Sequence, residues 1–153
     1  MHKIIFLLLT LALAFGCNEP SFKTIGSIQQ LDPSLAQITD TTAPVEIIAE
    51  GFNWTEGPLW VESEKMLLFS DIPPNKIFKW TETKGTELYL TPSGYTGATP
   101  RTGEPGSNGL LLNKEGKLVM CQHGDRRMAM MDAPLNAPKA LFVSLADNYK
   151  GKK

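Results

Sequence analysis

Short strand-like runs recur in this chain at a fixed spacing, and that recurrence limits the fold more than any single motif does. Glu56-Gly57-Pro58-Leu59 returns 52 residues later as Asn108-Gly109-Leu110-Leu111, and Lys65-Met66-Leu67-Leu68 returns at the same offset as Lys117-Leu118-Val119-Met120. Asn75-Lys76-Ile77 falls near Arg126-Arg127-Met128 with one residue of slippage. Apolar or alternating runs predict strands at Val45–Ala49, Leu59–Val61, Met66–Ser70, Lys76–Trp80 and Glu87–Leu90. A second series follows at Gly109–Leu112, Leu118–Gln122, Met128–Met131 and Leu141–Ser144. Turn-forming stretches such as Pro73-Pro74-Asn75-Lys76 and Gly124-Asp125-Arg126 separate them. The 13 glycines and 11 prolines suit many turns, and no stretch sustains a helical period. The folded part is expected to be all-β, built of antiparallel hairpins. A four-stranded unit repeating at about 40–50 residues is the mark of a β-propeller blade. The Thr91–Ser107 loop accounts for the longer period here. Two unrelated hairpins would show the same pattern, so on the repeat alone both readings stay open.

The repeat has a geometric consequence. Glu56 and Asn108 occupy equivalent positions, each just before an inner-strand candidate. In a propeller both would project toward the mouth of one axial channel. Carboxylate and amide oxygens there suit a hard cation such as calcium, which takes about six to eight oxygens. One of each is too few, so other blades or waters would supply the rest.

The first residues carry one cation, Lys3, and then an apolar run from Ile4 to Phe15 that ends in Gly16-Cys17. The run is short for a bilayer span and fits the apolar core of a signal peptide. A cysteine directly after a small residue at that point resembles a bacterial lipoprotein signal, which implies residues 1–16 as leader and acylation of Cys17. An ordinary cleaved signal or an uncleaved anchor are the alternatives. The expected location is periplasmic or at the cell surface, with the membrane reached through the lipid anchor only. Residues 17–44 are polar and weakly patterned, and read as a flexible tether with room for a short helix around Pro33 to Ile38. The propeller portion would cover 45–153. With Cys17 acylated, Cys121 has no partner, so no disulfide is expected; in its apolar run Cys121 reads as a buried small hydrophobe. A net charge of −1 gives no basic excess for nucleic acid.

Several motifs resemble the senescence-marker-protein/gluconolactonase, or regucalcin-like lactonase, family. They are Glu56-Gly57-Pro58-Leu59-Trp60, Leu67 to Pro73, Asn75 to Trp80 and Pro92 to Gly97. Glu104 to Leu110 and Cys121 to Arg127 complete the set, in the family's order and spacing. The resemblance implies a six-bladed propeller with a divalent metal, usually calcium, in its axial channel. It implies hydrolysis of sugar lactones: water attacks a lactone carbonyl that the metal polarises. Glu56 matches the glutamate that binds metal in the family. Asn108 and His123 are the substrate-binding candidates. The remaining ligands and the general base would lie beyond residue 153, because about two of six blades are present, and a fragment is the expected explanation. Other hydrolases on the same fold, arylesterase-like or strictosidine-synthase-like, are alternatives. So is a non-catalytic or inactive truncated propeller acting as a binding module. Arg126 and Arg127 read as a solvated loop face, Trp54, Trp60 and Trp80 as inter-blade core, and Met128, Met130 and Met131 as strand packing.

Overall fold

The computed structural model of the chain describes residues 22–146. The leader and Cys17 lie outside the described residues. The chain divides into two compact units between Ile47 and Ile48.

In the first unit β1 (Lys23–Thr24) pairs antiparallel with β2 (Glu46–Ile47). Between them a 3-10 turn spans Pro33–Gln37. Its N-cap, Asp32, accepts from the Ser34 amide at 2.8 Å, while Pro33 takes the position where a missing N–H costs nothing. The short helix anticipated near Pro33 is this turn.

The second unit consists of two four-stranded antiparallel meanders. The first runs in the order β3 (Thr55–Val61), β4 (Met66–Asp71), β5 (Lys76–Thr81), β6 (Gly85–Leu90). The second runs β7 (Ser107–Leu112), β8 (Leu118–Gln122), β9 (Arg127–Met131), β10 (Phe142–Ala146). The innermost strand of the second sheet, β7, packs on β3 and β4. Two sequential four-stranded sheets that face each other this way are adjacent propeller blades. Between them lies one core: Val61, Leu68 and Ile77 from the first blade meet Leu118, Met120 and Met131 from the second.

Register shows how the repeat is built. Asp71 pairs with Lys76 and Gln122 with Arg127, each pair enclosing a four-residue turn. Both turns end in a left-handed residue, Asn75 at φ 60° and Arg126 at φ 56°. These elements are therefore equivalent at 51 residues. On the innermost strands Thr55 pairs with Asp71 as Ser107 does with Gln122, and Leu59 with Leu68 as Leu111 does with Val119. There the offset is 52, so Glu56 and Asn108 are indeed equivalent. The lost residue belongs to the turn between: Val61 and Met66 enclose four residues, whereas the Asn113 amide closes on the Lys117 carbonyl at 3.0 Å around three. This corrects the 52-residue offset read from sequence for the second strands: the slippage noted at Asn75 begins one turn earlier. Leu68 corresponds to Val119, not Met120. The difference matters because a one-residue slip turns a strand's side chains to the opposite face. With the slip, each blade presents unlike faces to its two sides, and the blades stack in sequence.

That parity also corrects the reading of Cys121. It is exposed, not buried, because it shares the outward face of the second blade with Leu111 and Met128. Of the tryptophans, Trp80 is buried, but Trp54 and Trp60 are 52% and 46% exposed and are not core. Met131 is fully buried while Met128 is 40% exposed, as alternation along β9 requires.

Tyr89 links the blades at their outer side. It is buried, and its hydroxyl donates to the Leu135 carbonyl at 2.9 Å. Burial, with a smaller push from the Glu64 charge, raises its hydroxyl above the usual tyrosine range. A raised acid contributes stability that is complete below the unfolded value of about 10 and is lost as pH rises through the folded value. Tyr89→Phe should therefore cost about 1 kcal/mol near neutrality, and should flatten the alkaline fall in stability. Urea midpoints near pH 7 and above about pH 10 read both effects.

Candidate active site

The residues singled out by sequence gather at one end of the blade pair, where β3 and β7 begin and where the β4–β5 and β8–β9 turns lie. Glu56 is exposed on β3, opposite Ser70, and makes no hydrogen bond or ion pair among the described residues. Directly after it the ladder bulges. Gly57 adopts φ 62°, and a Cβ there would sit 2.5 Å from the Asn108 carbonyl oxygen. Only glycine lets the two innermost strands come this close. The Glu-Gly-Pro element thus sets the spacing of the channel wall and also presents a carboxylate.

Asn108 stands at the matching bulge of β7. Its backbone carbonyl accepts from Ser70 Oγ at 3.0 Å. Its side-chain Oδ1 is buried and has no hydrogen-bond partner. An orphaned buried acceptor costs about 1–3 kcal/mol, so this oxygen is fit to receive a ligand, either a hydroxyl donor or a cation.

Asn108 and His123 line one open recess of about 370 Å³, together with Cys121, Gln122, Arg126 and Arg127. Glu56 lines a different one of about 300 Å³, mostly apolar, with Phe52, Pro58 and Phe69 among its walls. The structure brings Asn108 and His123 together and leaves Glu56 on the other side of the first blade's inner strand. Among the described residues no three His, Cys, Asp or Glu side chains cluster as a metal site. Glu56 and Asn108 provide oxygens of the kind a hard cation takes, but only two of the number it needs.

His123 is held rather than free. Its Nδ1 lies 2.9 Å from the Glu104 carbonyl oxygen, with the Glu104 carboxylate at 3.6 Å. Donation from Nδ1 to that carbonyl leaves Nε2 as the acceptor. Arg126 is exposed, as a solvated loop face requires. Arg127 is not: its Nε donates to Gln122 Oε1 at 2.6 Å, it pairs with Asp125 at 3.2 Å, and it lies over the Phe142 ring.

Three buried or half-buried polar residues that the sequence did not flag hold this end together. Asp71 accepts from the backbone amides of Asn53 and Trp54, at 3.1 and 2.9 Å. Gln122 is fully buried and donates to the Ser93 carbonyl at 2.9 Å. Asn75 receives the amides of Ser93, Gly94 and Tyr95 on its Oδ1. The one signal in the sequence was placement: Asp71 and Gln122 each close an apolar run at the same blade position.

A sequence model of the SMP-30/Gluconolactonase/LRE-like region matches residues 54–150. A protein of Zymomonas mobilis described as a gluconolactonase is 39% identical over 138 residues, covering 89% of this chain and 38% of its own length. The chain thus spans less than half of that relative. An X-ray structure provisionally described as a gluconolactonase superposes with a TM-score of 0.62 at 30% identity, over 80% of this chain and 37% of its own. A Xanthomonas campestris gluconolactonase structure superposes equally well, at TM-score 0.62, 22% identity and 88% coverage of this chain against 41% of its own. At that identity the second likeness speaks for the fold alone.

Proposed function

The chain belongs to the SMP-30/Gluconolactonase/LRE-like family, and from that membership we propose that it carries the first two blades of a hydrolase of sugar lactones. The observation that supports this most directly is the unpaired, buried Oδ1 of Asn108 at the channel end, beside His123. A divalent cation, calcium in this reading, would supply Lewis-acid polarisation of the lactone carbonyl when bound. Glu56 would hold it through its free carboxylate. Asn108 and His123 would orient the sugar: the amide oxygen and the free Nε2 both accept hydrogen bonds from ring hydroxyls. The group that takes the proton from water belongs, on this reading, to further blades. We further propose export and anchoring through Cys17, which would set this activity outside the cytoplasm.

Calcium titration of the full chain by calorimetry, paired with pH-stat hydrolysis of δ-gluconolactone, tests the proposal. Glu56→Gln should weaken calcium binding by about 10–100-fold with the fold intact by circular dichroism. Equal calcium affinity in the two proteins would sink Glu56 as a ligand. Lactone turnover that survives a chelator unchanged would sink the metal-assisted reaction.

A further inference from the structure

A cationic recess adjoins the candidate site. The loop ahead of β7 and the β8–β9 turn enclose about 260 Å³, with Arg101, Glu104, His123 and Arg126 among the lining residues. Both walls are packed from beneath. Pro105 and Gly124 are buried, and a Cβ on Gly124 would lie 2.4 Å from the Pro105 carbonyl oxygen and 2.5 Å from Tyr95 Cβ. The shape of the recess is thus set within the second blade and the loop that leads into it. Arg101 is held in this wall: its Nη1 donates to the Gly124 carbonyl, and its guanidinium carbon lies 5.1 Å above the Tyr95 ring. Stacking takes the face of a guanidinium and leaves its N–H edge, so most of the Arg101 donors remain for a ligand. Arg126 is exposed, and its side chain makes no hydrogen bond or ion pair among the described residues. The carboxylate lining the recess, that of Glu104, lies 3.6 Å from His123 Nδ1. Asp125, beside Arg126 in sequence, is engaged by Arg127 and Thr96. Two guanidinium groups against one carboxylate leave the recess positive.

His123 and Arg126 also line the recess that holds Asn108, so one ligand can reach both. On the reading of the site as a sugar-lactone hydrolase, on which this rests, we propose that the cationic recess is an anion subsite, and that the lactone bound here carries a phosphate or carboxylate remote from its ester. Asn108 Oδ1 and His123 Nε2 accept from hydroxyls along the sugar, with His123 at the junction of the two recesses. Past it, Arg101 and Arg126 meet the anion. Their planar N–H forks match the paired oxygens of a carboxylate or a phosphate. A neutral sugar end leaves those donors to water and gains nothing from them. Discrimination falls mainly to Arg126, whose guanidinium has no internal partner, because Arg101 also holds the loop through Gly124.

Sugar acids that share a polyhydroxy chain and one carboxylate read this on the full chain. Gluconate has a neutral far end, glucarate a second carboxylate there, and 6-phosphogluconate a phosphate. Affinities are measured by calorimetry at one fixed ionic strength, because salt screens such attraction. A charged far end should improve binding about tenfold over gluconate, and the acid that gains more identifies the anion. Arg126→Gln should remove the gain and leave gluconate unchanged. Arg126→Lys keeps the charge without the fork and should retain part of it. Lys84→Gln removes a charge of the same sign from the β5–β6 turn, away from the recess, and should change nothing. Inorganic phosphate separates the subsite from the sugar reading: the unaltered chain should bind it about tenfold more tightly than Arg126→Gln does. If that difference holds while gluconate fails to bind, the anion subsite stands and the sugar reading falls. Equal affinities for all these acids, a gain that survives Arg126→Gln, or an equal loss in Lys84→Gln would overturn the proposal.

Discussion

Replacing Gly94 with alanine is expected to remove about 4 kcal/mol of stability, a large share of what a domain of this size holds. A Cβ on Gly94 would lie 2.1 Å from the Gly106 carbonyl carbon and 2.3 Å from its oxygen. Both obstacles are backbone, so no rotamer relieves the clash. Gly106 cannot retreat, since its own Cα face lies against Ile72, where a Cβ would meet the carbonyl oxygen at 2.5 Å. The loop segment that carries Gly94 would have to move instead. Its amide would leave Asn75 Oδ1, now at 2.7 Å, and its carbonyl would leave the Asp125 amide, at 2.9 Å. Overpacking costs about 1–3 kcal/mol and each lost hydrogen bond about 1. Urea unfolding followed by tryptophan fluorescence checks the sum. The midpoint should fall sharply with an unchanged slope. Gly109→Ala is the internal control: nothing lies within 4 Å of its Cβ, so its midpoint should move little. Equal effects of the two substitutions would show that the glycine stack around Gly94 does not hold the loop.

This contrast also marks what the sequence could and could not reveal. Strands were legible wherever alternation met a turn: Leu118–Gln122 is a strand with the bounds that its residues predict. The first blade's inner strand begins earlier than expected, at Thr55 and not Leu59. Glu56-Gly57-Pro58 has the composition of a turn, but the bulge takes up Gly57 at positive φ and tolerates the missing donor of Pro58 within the ladder. Asn108 could be found by its repeat position, because equivalence is a property of sequence. Cys121 reads as buried from its apolar run alone, and such a run does not say which of its two faces is covered. Deciding which face of β8 is covered needs the length of one turn to within a residue, and composition does not give that length.

Least legible of all were the residues that position the long loop, because their partners lie far along the chain. Asn75→Ala is expected to cost about 3–4 kcal/mol. The Asn75 Oδ1 collects three backbone amides, at 3.0, 2.7 and 3.2 Å from Ser93, Gly94 and Tyr95, and Nδ2 donates to the Tyr95 carbonyl at 2.8 Å. Asparagine also accepts the left-handed φ of 60° at this position, which a plain Cβ resists by about 1–2 kcal/mol. These two contributions can be separated by substitution. Asn75→Asp keeps the acceptor and loses only the donation, and should be mildest. Asn75→Gly loses every side-chain bond but relaxes the backbone, and should fall between. Asn75→Ala suffers both losses. Because the clamp anchors the segment that leads to Arg101, whose guanidinium lies over Tyr95, the same order should appear in tryptic cleavage after Arg101. Loop opening would then track the urea midpoints. If cleavage rises without any fall in the midpoint, the clamp orders the loop alone. If neither changes in Asn75→Ala, the three amides find other acceptors and the clamp contributes nothing. The expected result, both shifting together, would mean that the loop over the channel end and the fold beneath it open as one unit.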